Sequence, residues 1–237
     1  VGVGILGFQE WLVQNGVRYS EVAESGSAQW ALEHFATAAT KAADRYADSM
    51  EIPRPVKHTT VAPTGTVAKL AGVSEGIHPI YSRYFVRRVR YANDDASLAG
   101  LIEQGYTTES CIYNPATTVV LFHVRDAILD VANSELVEQA DELSVAEKLS
   151  AQETVQRTYA DNAVSYTVNM SDSTTPEELF DGLAEYLPRL KGTTVFPFNS
   201  RPQSPYTEIT EAEYLAASDH GVAQGFDDCA TGACPIK

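Results

Sequence analysis

Cysteines, basic residues and long apolar runs are all scarce in this sequence of 237 residues. Its 3 cysteines are too few for a disulfide scaffold, and the odd number leaves at least one free thiol, which is typical of a reducing compartment. Only 17 Lys and Arg oppose 32 Asp and Glu, and the net charge of −15 argues against nucleic-acid binding or a membrane-surface role for the chain as a whole.

No apolar run is long enough for a membrane span, because the apolar opening from Val1 to Phe8 is far too short. No Lys or Arg precedes Arg18, so no signal peptide is visible either. These features predict a cytoplasmic protein. Because the chain opens at Val1 within an apolar segment rather than at a Met, we expect it to be a piece of something longer.

What the chain does contain is 44% hydrophobic residues, enough to bury the core of a globular protein with one large or two small domains. Short β-type runs alternate with helical runs, which predicts an α/β fold, either a barrel or a doubly wound sheet. We expect strands over 58–62, 84–91, 117–124, 163–170 and 193–196. We expect helices from the N-cap Ser27 toward Pro53 and over 67–72, 95–104, 144–159, 176–187 and 211–217.

Two capping boxes support the last helices, Thr175 with Glu178 and Thr210 with Glu213. The segment from Arg125 to Glu142 has no clear period and is interpreted as an excursion from the core. After residue 217 the chain is glycine-rich with few large apolar side chains, so we expect a flexible tail over 218–237.

The first glycines, Gly2, Gly4 and Gly7, fit the G-x-G-x-x-G dinucleotide fingerprint. That fingerprint requires a preceding strand, and no residue before Val1 supplies one. We therefore favour a packing role for these glycines over cofactor binding.

A basic segment interrupts the acidic chain between Arg54 and Arg90, where seven Lys and Arg face the single acid Glu75. Such a reversal of charge suits an anion site, since a local positive potential must overcome the field of the whole molecule. A solvated strand face is the other interpretation, and the charge count alone does not decide between them.

Within that segment, Pro63, Thr64, Gly65 and Thr66 form a tight turn between a predicted strand and a predicted helix. Free N–H groups at the helix start, two hydroxyls and a glycine would converge there on a phosphate. The alternative is a plain N-cap by Thr64 or Thr66. The spacing of a P-loop is absent.

The tail carries Cys229 and Cys234, two thiols that a Gly-containing turn could join in a disulfide. Zinc is disfavoured because no second Cys or His pair supplies further ligands. We favour a redox role for this pair over inert thiols. Because Asp227 and Asp228 oppose thiolate formation at Cys229, we expect the thiols to need the help of a partner. Cys111 has no catalytic neighbour in the sequence and is interpreted as packing. The histidines His34, His78, His123 and His220 show no metal or triad spacing and are interpreted as structural, so no metal site is predicted.

Several segments together resemble the cobalamin-dependent (class II) ribonucleotide reductases, with the monomeric triphosphate reductases as the nearest match. They are Ala62 to Thr66 leading to Ala71 to Pro79, Arg87 to Arg90, Thr118 to Val120, Asp161 to Val168, Lys191 to Thr194 and the Cys pair. The resemblance covers nearly the whole chain and roughly the last third of such an enzyme.

The resemblance implies that residues 1–217 are the C-terminal part of a ten-stranded α/β barrel, followed by a redox tail over 218–237. In that family adenosylcobalamin generates a cysteine thiyl radical that acts on a ribonucleotide. Pro63, Thr64, Gly65 and Thr66 would hold the phosphates of a ribonucleoside triphosphate, and Cys229 with Cys234 would carry electrons from thioredoxin or a similar reductant.

One departure from the family concerns the radical Cys and the catalytic Glu. These lie in an Asn-Pro-Cys-x-Glu type motif that this chain lacks, so we expect an upstream part of the same enzyme as a partner. The remaining alternative is a non-enzymatic phosphate-binding or redox-partner module derived from a reductase. A monomeric chain that bound nucleotides by itself would favour that alternative.

Overall fold

The structure is a computed structural model that describes residues 2–65, 67–171, 173–198 and 201–217. Its α-helices are α1 (Phe8–Gln14), α2 (Gly26–Ser49), α3 (Val67–Ala71), α4 (Ala96–Glu103), α5 (Val145–Thr158), α6 (Pro176–Tyr186) and α7 (Glu211–Ala216). Its strands are β1 (Tyr84–Ala92), β2 (Thr108–Ser110), β3 (Thr117–Arg125), β4 (Thr167–Met170), β5 (Thr194–Pro197) and β6 (Tyr206–Glu208). Short 3₁₀ turns lie at Ala127–Asp130, Ser134–Leu136 and Leu187–Arg189. The chain divides into two units: unit 1 is Val1–Ile80 with Ile128–Phe198, and unit 2 contains Tyr81–Ala127 with 201–217.

Unit 1 is built on extended segments that run parallel and pair in chain order. Val3 pairs with Thr59, Val61 pairs with Val164, and β4 then pairs with β5 from Thr167 opposite Thr194 onward. Because all of them run in the same direction, the loops that follow them lie at one edge, which is where α/β proteins place their ligand sites.

The core of unit 1 is centred on α5, in which nine of fourteen residues are buried. This helix packs against α2, α6 and β4. Ser144 begins the helix with a capping box to Glu147, which satisfies the first free N–H groups. The apolar residues buried with it include Phe8, Leu12, Tyr19, Leu32, Val61, Ile77, Leu149, Val155, Val164, Tyr166 and Val168.

Unit 2 is a four-stranded antiparallel sheet in the order β2-β3-β1-β6. Strands β1 and β3 pair along their full lengths, from Tyr84 opposite Arg125 to Ala92 opposite Thr117. Helix α4, capped by Asp95, contributes Leu98 and Leu101 to a core with Phe85, Val89, Tyr91, Val120, Phe122 and Val124. This core is separate from that of unit 1.

The mixed α/β class is confirmed, and most predicted elements exist within one to three residues of their expected bounds. The described residues form no closed barrel. Alternation predicted strands at 84–91 and 117–124 but not their antiparallel pairing in a separate unit. Helix α1 and strands β2 and β6 were not predicted, because each is too short to show a period.

Several local expectations are corrected. The N-cap of α2 is Ser25, whose hydroxyl accepts the N–H of Ala28, and not Ser27. Thr175 caps α6, but Glu178 does not close the box, since its carboxylate accepts the N–H of Val145. The expectation that the segment from Arg125 to Glu142 leaves the core is wrong from Ile128 onward, because Ile128 and Val137 are buried in unit 1.

The first glycines act in packing, as expected. A Cβ at Gly2 would lie 2.7 Å from Cγ2 of Thr60, and one at Gly7 would lie 3.2 Å from Cβ of Val73. Gly7 also has φ +69, a left-handed conformation that favours glycine.

A test of the α5–α6 contact uses Gly182, the buried residue of α6. A Cβ there would lie 2.9 Å from Cγ1 of Val145, a β-branched side chain that cannot move aside. We expect Gly182→Ala to lower the free energy of unfolding by about 1–3 kcal/mol through overpacking. The control Gly100→Ala lies in α4, where the nearest atom to the added Cβ is Nε2 of Gln104 at 4.0 Å. It should raise stability by up to about 1 kcal/mol on helix propensity. Stabilisation by both substitutions in urea unfolding would contradict the contact.

Candidate functional site

The predicted phosphate loop lies at the carboxyl end of the Thr59–Val61 strand and leads directly into α3. Pro63 and Gly65 are exposed and Thr64 is half-buried. Thr66 lies outside the described residues. The described part of the loop therefore lies at the carboxyl edge of the parallel segments, the edge at which α/β proteins commonly place ligand sites.

Gly65 has room around it. A Cβ added there would have only the Glu75 carboxyl group nearby, with Oε2 at 3.8 Å, an ordinary contact distance. Its φ also lies outside the left-handed region. Neither backbone strain nor packing therefore requires a glycine at this position, and the space is open to an approaching ligand.

The side chain of Thr64 has a hydrogen-bond partner within the protein. Its Oγ1 accepts the N–H of Gly76 at 2.7 Å, and its carbonyl accepts the N–H of Ala68 at 2.8 Å. Because a hydroxyl that accepts a hydrogen bond can still donate its own O–H, the convergence of the Thr64 and Thr66 hydroxyls on one phosphate stays a prediction.

The charges around the loop are also more balanced than the sequence indicated. Lys69 on α3 lies 3.2 Å from the carboxylate of Glu75. Elsewhere in the basic segment Arg54 pairs with Asp48 at 2.7 Å. The segment itself is divided, since residues up to Lys69 lie in unit 1 and Arg83 onward lie in unit 2.

Next to the loop runs the segment 74–80, in which buried and half-buried residues are mixed and side chains hold the backbone. The N–H of Ser74 donates to Oε1 of Glu10 at 2.8 Å, and its hydroxyl donates to Oε2 of the same carboxylate at 2.5 Å. At the other end, the N–H of Ile80 donates to Oε1 of Gln9 at 2.7 Å. Helix α1 thus anchors both ends of the segment.

The middle of the 74–80 segment is held by His78. Its Nδ1 donates to the carbonyl of Glu75 at 3.0 Å, and its Nε2 accepts the N–H of Thr167 at 3.0 Å. The ring stacks on Tyr166 with 4.8 Å between centroids and 10° between planes. Burial lowers the pKa of His78, against the opposing effect of Glu75. The neutral ring therefore joins the segment to the start of β4.

A pair of buried tyrosines completes the support. The hydroxyl of Tyr19 donates to the carbonyl of Ile77 at 2.8 Å and lies 3.0 Å from the hydroxyl of Tyr166. Burial raises the pKa of both phenols, and the proximity of Tyr166 raises that of Tyr19 further. Both remain neutral at physiological pH and serve as fixed hydrogen-bond partners.

At the opposite, amino end of the strands lies a polar cluster around Asp161. Its carboxylate accepts the N–H groups of His58 and Thr59 at 2.8 and 3.0 Å. Burial raises the pKa of Asp161, but these N–H groups outweigh it and leave the pKa below its ordinary value. Lys57 and Lys191 both donate to the Asp161 carbonyl, at 2.6 and 2.5 Å. The cluster connects residues at the starts of the strands, whereas the 63–65 loop lies at their carboxyl ends.

Cys111 in unit 2 is buried, as the packing interpretation expected. It also has a charged neighbour that the sequence did not reveal. Burial raises the pKa of its thiol, but the N–H groups of Tyr113 and Asn114 and the guanidinium of Arg90 bring the pKa below its ordinary value. The thiol thus sits in a site that stabilises the thiolate.

Of the predicted site residues, the structure describes Pro63, Thr64 and Gly65. Cys229, Cys234 and His220 lie outside the described residues, as does the tail predicted over 218–237. Sequence reasoning missed Glu10, Tyr19 and the roles of Ser74, Gly76 and His78. The last three lie within a segment quoted for the resemblance, but no local pattern shows which atoms they bond.

Among the described residues, no three His, Cys, Asp or Glu side chains are grouped so that they could hold a metal ion. In the same part of the chain, no helix combines the length and the apolar character that crossing a membrane requires.

The family described as "Ribonucleotide reductase, barrel domain" matches residues 53–186. The chain is 40% identical over 252 residues to a putative adenosylcobalamin-dependent ribonucleoside-triphosphate reductase of Mycobacterium phage D29, and 33% identical over 279 residues to the adenosylcobalamin-dependent ribonucleoside-triphosphate reductase of Levilactobacillus brevis. Each alignment covers 100% of this chain and 36% of the relative. The chain thus spans little more than a third of the length of these relatives.

Solved structures agree with the sequence relatives. The crystal structure of a B12-dependent (class II) ribonucleotide reductase matches with a TM-score of 0.77 and 31% identity, over 91% of this chain and 32% of the other. The class Id ribonucleotide reductase alpha subunit of Actinobacillus ureae matches with a TM-score of 0.52 and 20% identity, over 84% of this chain and 39% of the other. The second likeness concerns the fold alone.

The lowered pKa of His78 predicts how the free energy of unfolding depends on pH. Its pKa is lower in the folded than in the unfolded chain, so between these two values the unfolded chain binds more protons. The free energy of unfolding should therefore fall as pH drops below about 6.5 and stop falling below the folded pKa. His78→Gln should lose this component of the slope. Urea unfolding between about pH 7.5 and about pH 5 measures it. The other histidines are common to both proteins, so equal slopes in the two would refute the assignment.

Proposed function

Because the chain belongs to the ribonucleotide reductase family, we propose that it is the C-terminal portion of an adenosylcobalamin-dependent ribonucleoside-triphosphate reductase. In this role it supplies part of the barrel, the loop that holds the substrate phosphates and the thiol pair that exchanges electrons with thioredoxin. The observation that carries the proposal is the open backbone at Gly65, placed at the carboxyl edge of the parallel segments. The relatives' names supply the reaction.

The barrel proposal rests on the parallel order of unit 1. Its paired segments follow one another in the chain, as the strands of an α/β barrel do, and the described pairings leave the Val3 segment and β5 at the two outer positions. Parallel sheets are normally covered on both faces. In β5, however, Thr194 and Pro197 are exposed. We propose that upstream strands pair at these outer positions and close the barrel.

The phosphate proposal rests on backbone rather than on side-chain charge. Anions are favoured near the first N–H groups of a helix, and the loop leads to the start of α3, where the Ala68 N–H is already used by the Thr64 carbonyl. Since Lys69 is paired with Glu75, neutral N–H dipoles have to carry most of the recognition. Gly65 permits a phosphate oxygen to approach these N–H groups without meeting a side chain.

The radical chemistry needs groups from outside this chain. Adenosylcobalamin, when bound, supplies the homolysis from which a cysteine thiyl radical is generated in this family. Neither that cysteine nor the catalytic Glu motif occurs in these 237 residues. We assign no described residue to the cofactor. The proposed role of this chain is to bind and orient the substrate.

The tail proposal concerns Cys229 and Cys234. Each turnover leaves the active-site thiol pair as a disulfide. Thiolate attack by the tail dithiol on that disulfide would return it to two thiols and leave the tail as a disulfide, which the dithiol of thioredoxin then reduces. Because Asp227 and Asp228 next to Cys229 oppose thiolate formation, a partner has to assist the exchange.

Substitution of Gly65 tests the phosphate loop. In a full-length reductase carrying these residues, for which the phage D29 relative can supply the remainder, Gly65→Val should raise KM for the nucleotide about tenfold or more, since a β-branched side chain would block the phosphate. Gly65→Ala should do so more weakly. Neither should shift the unfolding midpoint much, because the site is open. An unchanged KM in a folded Gly65→Val protein would remove the loop assignment.

Substitution of the tail thiols tests the shuttle. A tail of about 20 residues has an r.m.s. reach of roughly 25 Å if it is flexible. In the full-length enzyme, Cys229→Ser or Cys234→Ser should leave one turnover of pre-reduced protein nearly intact, while turnover driven by thioredoxin collapses. A small dithiol should restore part of the rate. Normal turnover with thioredoxin, or loss of the first turnover as well, would exclude a shuttle role.

A further inference from the structure

Thr64 has a backbone conformation that is unusual for its type. Its φ is +54°, in the left-handed region that β-branched residues rarely adopt. Such a conformation persists only where the surroundings fix it. Since the residue lies in the middle of the 63–65 loop, whatever fixes Thr64 also sets the direction of the neighbouring N–H groups.

The contact that fixes Thr64 is its bond to Gly76. Oγ1 of Thr64 accepts the N–H of Gly76 at 2.7 Å. Gly76 itself has φ +54, and a Cβ there would lie 2.8 Å from the carbonyl oxygen of Ala62. A glycine is therefore required at 76 for two reasons, its own conformation and the approach of the loop backbone.

Gly76 cannot shift to follow the loop, because its neighbours are anchored on both sides. Ser74 is bound by both oxygens of the buried Glu10 carboxylate. The carbonyl of Ile77 accepts the Tyr19 hydroxyl, and His78 bonds the start of β4. The 74–80 segment is thus a fixed support, and the Thr64–Gly76 bond transmits its position to the loop.

We infer that Thr64 and Gly76 are positioning residues for substrate binding: the Thr64 hydroxyl holds the loop on the 74–80 segment, and the loop backbone holds the phosphate. This inference rests on the proposed function of the loop. It differs from direct ligation, in which the Thr64 hydroxyl would itself contact the phosphate and Gly76 would have no effect on binding.

The experiment measures KM and kcat for a ribonucleoside triphosphate with the full-length reductase, adenosylcobalamin and dithiothreitol. Thr64→Val keeps the branched shape but removes the acceptor, so KM should rise about tenfold with kcat within about twofold. Thr64→Ser keeps the acceptor and should restore KM to within about twofold. Gly76→Ala, which leaves the hydroxyl in place but displaces Ala62, should raise KM like Thr64→Val.

Gly72→Ala is the matched control for Gly76→Ala. Gly72 is also left-handed, with φ +67, but no atom lies within 4 Å of an added Cβ. It should lose stability without a change in KM. Amide exchange at Gly76, read by mass spectrometry, provides a measurement that needs no turnover, and it should accelerate in Thr64→Val but not in Thr64→Ser.

The outcomes separate the inference from the function on which it rests. If Gly65→Val raises KM while Thr64→Val and Gly76→Ala do not, the positioning role is wrong and the phosphate loop stands. A rise for Thr64→Val with none for Gly76→Ala indicates direct ligation and also overturns the inference. If no substitution at 64, 65 or 76 changes KM in folded protein, the loop assignment itself has failed.

Discussion

Within the part of the chain that the structure describes, the 74–80 segment has one β-bridge, from Ile80 to Gln139, and side chains satisfy several of its other backbone groups. Glu10, Gln9 and Tyr19 each supply a bond to a different residue of the segment. Leaving one such buried group without its partner costs about 1–3 kcal/mol, which is a sizeable part of a typical folding free energy. Losing any one of these bonds would therefore weaken the support of the 63–65 loop, which Thr64 joins to the segment through the N–H of Gly76.

Unit 1 belongs to a chain of net charge −15, and a basic residue near its 63–65 loop has an acidic neighbour. An anion that approached such a chain would meet a repulsive field, and the Lys69 ammonium group is paired with Glu75. The proposed recognition through backbone N–H groups would not depend on a large positive surface. The pair of lysines on the Asp161 carbonyl stabilises the opposite end of the strands without adding charge near the loop.

Sequence reasoning succeeded where the signal is local. The capping box of Thr210 with Glu213 exists as predicted, because cap and acceptor are three residues apart. It failed where the determinants are distant or conformational: the Glu10–Ser74 contact joins residues 64 apart, and the Thr64–Gly76 bond requires left-handed backbone at both residues. The alternation of β1 and β3 identified strands but not their direction of pairing, since a period of two is common to both.

The pairing of Val61 with Val164 has a consequence for synthesis on the ribosome. Thr60 bonds a carbonyl 103 residues further along the chain, so at about 5–20 residues per second the first segments wait roughly 5–20 seconds for their partner. Strands β1 and β3, which pair at short separation, emerge during that interval and can form their ladder first. The β1–β3 ladder can therefore form while the Thr59–Val61 segment still lacks its partner on the Val164 side, and β6 completes the sheet of unit 2 only after the last strand of unit 1 has emerged.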